Sequence, residues 1–289
     1  MKRFERNGAM QKDNSKLYIK ILLIFILIIV IAVTAVLFVI PSVYENSCKT
    51  RVYEDLESRM DASVLSANIC IVRLEEKPLG NVTEYSYSTG ASGVIFDKKQ
   101  GKYYALTANH VVEGSGDPSV KVSFVIQPYG TQPYSQDNSS SKSSVVEYYS
   151  DFPEAKVEYS DERSDLAVVS FYTKDNLTAL SFAETGALNG DRIAVVSNPD
   201  GKRFVHSFGK ILSDEQLVFS AGDGKSDNMA IQHSAFTAPG SSGSAALNEN
   251  MEIVGINIGG ATDLMGRYRY SAMIPLRQIK LFLDNWRLS

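Results

Sequence analysis

From Ala67 onward the chain is divided by Gly, Pro, Asn and Asp into short runs rich in β-branched and aromatic residues. These are "NICIVRL", "ASGVIFD", "YYALTAN", "VKVSFVI", "LAVVSFY", "DRIAVVS", "FVHSFGKIL", "QLVFSA", "EIVGINIG" and "YRYSAMI". Branched side chains pack well on a pleated surface, and Gly and Asn adopt the turn conformations between them, so each run reads as a strand. The spacing leaves no room for the crossover helices that a parallel sheet requires. An all-β sandwich or barrel is the predicted class. The period changes only at the end. In "PLRQIKLFLDNW", Ile279, Phe282, Leu283 and Trp286 recur at helical spacing and predict a single C-terminal helix.

The N-terminus is of another kind. Ile21 to Ile40, "ILLIFILIIVIAVTAVLFVI", contains neither charge nor glycine. As a helix it would be about 30 Å long, the thickness of a bilayer's hydrocarbon core, and it has no polar face to turn toward water. Residues 21–40 are therefore predicted to be one transmembrane helix. Lys2, Arg3, Arg6, Lys12, Lys16 and Lys20 precede it against Glu5 and Asp13, which predicts that residues 1–20 are cytoplasmic and the rest lies outside. A cleaved signal peptide would have a shorter apolar stretch followed by a small-residue site, so an uncleaved anchor is favoured. Residues 41–65 read as a stalk, with Val52, Leu56, Met60 and Val64 at every fourth position of a short amphipathic helix. The remaining 66–289 form the predicted β domain. Residues 127–144, "QPYGTQPYSQDNSSSKSS", read as a polar surface insertion.

Six of the 29 basic residues and two of the 33 acidic ones precede the apolar run, which leaves 23 basic against 31 acidic residues outside. Such a surface repels phosphate backbones, and nucleic acid is excluded as a partner. Both cysteines, Cys48 and Cys70, fall on the outer side, where a disulfide and a pair of buried thiols are both open readings. No metal-ligand spacing occurs, and no metal or cofactor is expected.

Three segments carry candidate chemistry. His110 ends an apolar strand in "TANHVV", Asp165 begins one in "SDLAVV", and Ser242 sits in the glycine-lined turn of "PGSSGSAAL". A hydroxyl becomes a useful nucleophile when a base takes its proton and a carboxylate orients that base. As in the trypsin-like serine proteases, whose active-site segments these resemble, Ser242 would be the nucleophile, His110 the base and Asp165 its orienting group, and the backbone N–H groups of Gly240 and Ser242 would form the oxyanion hole. Ser241 is the weaker candidate for the nucleophile. His206 and His233 read as structural.

These segments resemble the three active-site segments of trypsin-like serine proteases, in the same order along the chain. "GDRIAVVSNPDGKRFVHSFGKILS" resembles the HtrA (Deg) proteases, and "GSSGSAALNENMEIVGINIGG" also resembles the glutamyl endopeptidases. The resemblance implies two six-stranded β-barrels with the site between them, and hydrolysis of protein or peptide substrates. It further implies a specificity pocket lined by Phe236, Thr237, Ile256, Asn257 and Ile258, suited to a small or aliphatic side chain. Since the chain ends at Ser289 after its helix, an HtrA-like protease domain without a PDZ domain is expected. A homo-oligomer built through the stalk is compatible with the pattern. The expectation is thus an outward-facing serine endopeptidase in the cell membrane. The alternative is a catalytically inactive domain of the same fold that binds or senses peptides.

Overall fold

The computed structural model describes residues 2–34, 53–88, 90–135, 144–220 and 227–289. The chain divides into two compact units, Met1–Asp55 and Leu56–Ser289. Helix α1, Lys2–Thr34, occupies the first and begins within the segment predicted to be cytoplasmic. Among the described residues no helix is long and apolar enough to cross a membrane. Residues 35–40 of the predicted span, residues 41–52 of the predicted stalk and Cys48 lie outside the described residues.

Two short helices, α2 (residues 53–59, within which the second unit begins) and α3 (Ala62–Ser66), stand where the sequence predicts one. Asp61 separates them. Its backbone is extended, and its carboxylate accepts hydrogen bonds from the N–H groups of Ser63 (2.9 Å) and Val64 (3.1 Å), capping α3. Leu56 and Val64 are buried, and Arg59 donates to the carbonyl of Glu249 (2.7 Å), so this segment packs on the β domain.

Strands β1 (Asn68–Leu79), β2 (Val82–Tyr87), β3 (Ala91–Lys99), β4 (Lys102–Thr107), β5 (Lys121–Gln127), β6 (Lys156–Asp161) and β7 (Leu166–Tyr172) form one sheet. Its order is β2-β1-β3-β4-β7-β6, with β5 also paired to β1. This differs from the expected six-stranded closed barrel. The sequence reading stopped β1 at Leu74, yet it continues to Leu79 and folds back as the exposed strand β2. Among the described residues no ladder of strands links β5 to β6. They are bridged by the stretch around Pro153, where Ile126 donates to Pro153 (2.8 Å) and Ala155 to Phe124 (2.8 Å). Proline has no N–H to extend such a ladder.

Strands β8 (Arg192–Ser197), β9 (Val205–Ser220), β10 (Asp227–His233), β11 (Ala245–Leu247), β12 (Ile253–Thr262) and β13 (Tyr268–Pro275) close a six-stranded barrel in the order β10-β13-β12-β11-β8-β9. Here two runs read as separate strands are one long strand, β9. Each half has its own apolar core. Ile69, Ile71, Ile95, Tyr103, Val169 and Phe171 fill the first, and Ile193, Val195, Ile211, Ile231, Val254 and Met273 the second. The predicted closing helix is α5, Leu276–Leu288, which buries Leu276, Ile279, Phe282 and Leu283.

Directly after the polar insertion comes a short helix that the sequence reading did not include, α4 (Val145–Tyr149), capped by the Ser144 hydroxyl, which accepts from the Glu147 N–H (3.2 Å). Tyr149 is fully buried among the rings of Tyr87, Tyr148 and Phe152. Cys70 lies in the same satellite core as a free thiol, and burial pushes it up to about 12 against the opposing influence of Arg203. Residues 136–143 of the insertion lie outside the described residues.

Candidate active site

Strands β4 and β7 are neighbours, with Thr107 opposite Ala167, so the end of one and the start of the other lie side by side. That pairing brings together two residues 55 positions apart. A short 3-10 turn, Asn109–Val111, carries His110, whose side chain is 31% exposed, while that of Asp165 is 4% exposed. The His110 Nδ1 stands 2.8 Å from Asp165 Oδ2 and 3.0 Å from Oδ1, and the His110 backbone N–H donates to Oδ1 at 3.0 Å. An acceptor-only carboxylate at Nδ1 keeps the proton on that nitrogen and leaves the lone pair on Nε2. Asp165 sits at φ +49, in the left-handed region that Asp and Asn tolerate better than other side-chain-bearing residues.

Ser242 comes from the second half, on the turn between β10 and β11. The first half grips that turn. The Ser92 N–H donates to the Ser242 carbonyl (2.9 Å), and the Ser92 hydroxyl donates to the Gly240 carbonyl (2.8 Å) while accepting from the Asn198 N–H (3.0 Å). Gly243, at φ +85, lies so close to β4 that a Cβ there would collide with the Ser92 carbonyl and the Thr107 hydroxyl and stand 3.0 Å from the Ala108 nitrogen. The turn is thus packed against the segment that leads into His110. Sequence reading missed Ser92, because a serine in "ASGVIFD" looks like any strand residue.

The two adjacent serines are distinguished by burial. Ser241 is 2% exposed, its hydroxyl donates to Ser197 (3.1 Å) and it accepts from the Ala238 N–H (3.2 Å). Ser242 is partly exposed and lines a cavity of about 250 Å³. Among the described residues, neither the Gly240 nor the Ser242 amide donates to a protein acceptor, whereas those of Ser241, Gly243 and Ser244 all do. The Asp200 N–H holds the Pro239 carbonyl at 2.7 Å. In a trans peptide the C=O and N–H point opposite ways, so the Gly240 N–H faces away from the Asp200 loop.

The cavity beside Ser242 is lined by Thr237, Asn257, Gly259, Gly260, Thr262 and Tyr268 among others, and among the described residues no charged side chain lines it. Of the five residues named from sequence, Thr237 and Asn257 lie there. Ile256 and Ile258 do not: both are buried, as strand alternation sends them to the opposite face from Asn257. Phe236 is also outside it, half exposed, with its ring 5.4 Å from that of Tyr268. Tyr268 and Ser271 were not foreseen. The hydroxyls of Tyr268 and Ser271 both reach the Ala235 carbonyl, and Ser271 holds Thr237 at 2.5 Å.

The sequence matches the trypsin-like peptidase domain over residues 91–256, a span that contains His110, Asp165 and Ser242. The chain belongs to the trypsin-like peptidases. Among its relatives, the serine protease Do-like HtrA of Bacillus subtilis is 33% identical over 180 residues, which is 61% of this chain and 34% of that protein. A probable periplasmic serine protease do/HhoA-like of Haemophilus influenzae is 30% identical over 188 residues, 65% of this chain and 34% of that protein. The periplasmic serine endoprotease DegP of Escherichia coli is 27% identical over 202 residues, 70% and 36%. The chain spans about a third of the length of these relatives.

In this trypsin-like peptidase the turn rests on a buried polar chain. His233 Nε2 donates to Asn257 Oδ1 (2.6 Å), and Asn257 Nδ2 donates to the hydroxyl (2.9 Å) and carbonyl (3.1 Å) of Ser244. Burial pushes His233 down to about 4, with the bond to Asn257 opposing. The unfolded chain takes up a proton below its ordinary value of 6.5 that the folded state refuses down to about 4. The contribution of His233 to stability is therefore intact above pH 6.5 and lost progressively as pH falls from 6.5 to 4. Urea unfolding at pH 7.5 and pH 5.0 should differ by about 2 kcal/mol from this residue alone, and His233→Gln should lose that part of the difference. An equal pH dependence in the variant would refute the assignment.

Gly240→Ala tests the turn itself. At φ +96 a Cβ would drive into the Asn198 carbonyl, so the Gly240 amide must move. Any hydrolysis that depends on it should fall by about 10²–10³, while the far-UV spectrum and thermal midpoint report whether the fold survives.

Proposed function

We propose that this chain is a serine endopeptidase held in the cell membrane by Ile21–Ile40, with residues 1–20 cytoplasmic and the peptidase domain on the outer side. The observation that carries the catalytic part is the Asp165 carboxylate bonded to His110 Nδ1, close to a turn with two unengaged amides. His110 Nε2 takes the Ser242 proton as Oγ attacks the carbonyl carbon of the scissile bond. The tetrahedral oxyanion is met by the N–H groups of Gly240 and Ser242. Asp165 stabilises the imidazolium without taking its proton, and His110 then protonates the leaving amine. Water repeats the sequence in reverse and releases the acyl group from Ser242.

The substrate lies extended along the open end of β12, adding a strand through main-chain bonds. The uncharged lining of the neighbouring cavity suits a small or aliphatic side chain before the cut. Anchoring rests on the uncharged run Ile21–Ile40 and the basic residues before it. A fluorophosphonate probe added to the folded full chain should label Ser242, as read by peptide mass. A chain that folds but takes no label at Ser242 would overturn the catalytic reading. Protease added outside sealed cells should remove the β domain and spare residues 1–20, and protection of the domain would overturn the orientation.

A further inference from the structure

A groove of about 510 Å³ separates two segments that the catalytic reading leaves unused. One wall is the start of the insertion, residues 129–133, and the other is residues 201–204 in the loop between β8 and β9. Two rings meet there edge to face, Tyr129 and Phe204, with centroids 5.1 Å apart. Phe204 is held at φ +54, a region that bulky residues rarely enter, and its N–H is tied to Asn198 Oδ1 at 3.1 Å. The ring is thus fixed at the groove rather than folded into the core.

The charge is one-sided. Among the described residues, Lys202 and Arg203 line the groove and no carboxylate does. Arg203 donates to neutral acceptors, the Gln127 side chain (3.0 Å) and the carbonyls of Gly201 (3.0 Å) and Lys202 (3.4 Å). Among the described residues neither cation forms an ion pair, although acidic residues outnumber basic ones 31 to 23 beyond the apolar run. Two unneutralised cations beside an exposed ring, Tyr129, and a partly buried one, Phe204, recognise an anionic group with an apolar neighbour.

We propose that this groove is a second binding site, distinct from the cavity at Ser242, and that its ligand is an acidic peptide segment of another protein. An aromatic or aliphatic side chain of that segment packs against Tyr129 and Phe204, and its carboxylates face Lys202 and Arg203.

The test uses the full chain in detergent micelles, carrying Ser242→Ala so that nothing is cleaved. The probe is fluorescein-labelled Glu-Asp-Phe-Glu-Glu, followed by fluorescence anisotropy, with the isosteric Gln-Asn-Phe-Gln-Gln as control. The acidic peptide should bind saturably, about tenfold or more tighter than the amide peptide, and lose affinity between low and high salt. Lys202→Glu should weaken it by at least about tenfold and Tyr129→Ala should weaken both peptides, with thermal unfolding unchanged in each variant. Lys202→Gln serves if the charge reversal fails to fold. Equal binding of the two peptides, or affinity unmoved by the changes at Lys202 and Tyr129, would overturn the proposal. Because the measurement needs no catalysis, it stands apart from the serine assignment, which only the fluorophosphonate experiment addresses.

Discussion

Ser242→Ala is expected to lower peptide hydrolysis by about 10⁶-fold, to the level set by binding and the remaining amides. The neighbouring change, Ser241→Ala, is expected to leave turnover within an order of magnitude. The contrast follows from where the two hydroxyls go. Ser241 is buried and spends its hydroxyl on Ser197 and the Ala238 amide, so removing it costs about 1 kcal/mol of folding stability. Ser242 is partly exposed and, among the described residues, its hydroxyl makes no such structural bond. Steady-state hydrolysis of a fluorogenic peptide, with fluorophosphonate labelling of each variant, checks both. If Ser242→Ala retained full turnover, or Ser241→Ala alone abolished labelling in a folded protein, the nucleophile would be misassigned. If every cellular phenotype survived Ser242→Ala, the peptide-sensing alternative would gain the ground.

Asp165→Asn should reduce kcat by about 10⁴-fold with little change in fold. Asparagine tolerates the φ of +49 at this position, so the backbone need not move. Its amide oxygen can still accept the His110 backbone N–H, which fixes the side chain's orientation. The NH₂ group then faces Nδ1, which must offer a lone pair, and the ring proton shifts to Nε2, where it blocks abstraction from Ser242. Asp165→Ala should lose comparable activity and also stability, since it strains the left-handed backbone and leaves the His110 N–H unmet. A kcat for Asp165→Asn within tenfold of the wild type would rule out the proposed orienting role.

The candidate site could be read from sequence because three short segments carry it in a fixed order, and because the proposed chemistry needs a histidine, an aspartate and a serine; the structure brings His110 against Asp165. Four strands of the second barrel, β8, β9, β12 and β13, were legible as β-branched or aromatic runs bounded by turn formers, whereas β10 and β11, "DNMAIQH" and "AAL", carry too few such residues to show. What escaped depends on partners far along the chain. Strand β2 is fully exposed, so "VTEYSY" has no buried face to produce a hydrophobic alternation. Helix α4 was hidden because its five residues are too few for a helical period to show. Ile256 and Ile258 were placed in the pocket by resemblance alone, although strand alternation around Asn257 already sends them to the core. Ser92 and His233 act through contacts 148 and 24 residues away, which nothing local announces.

The grip of Ser92 on Gly240 and Ser242 has a consequence for the newly made chain. The turn that carries Ser242 belongs to the half that is synthesised last, yet its shape is held by a strand of the half made first. A chain in which only one half has matured, or in which the halves have not docked, lacks the clamp on Gly240. On the proposed mechanism, competence for hydrolysis therefore waits on completion of the whole domain.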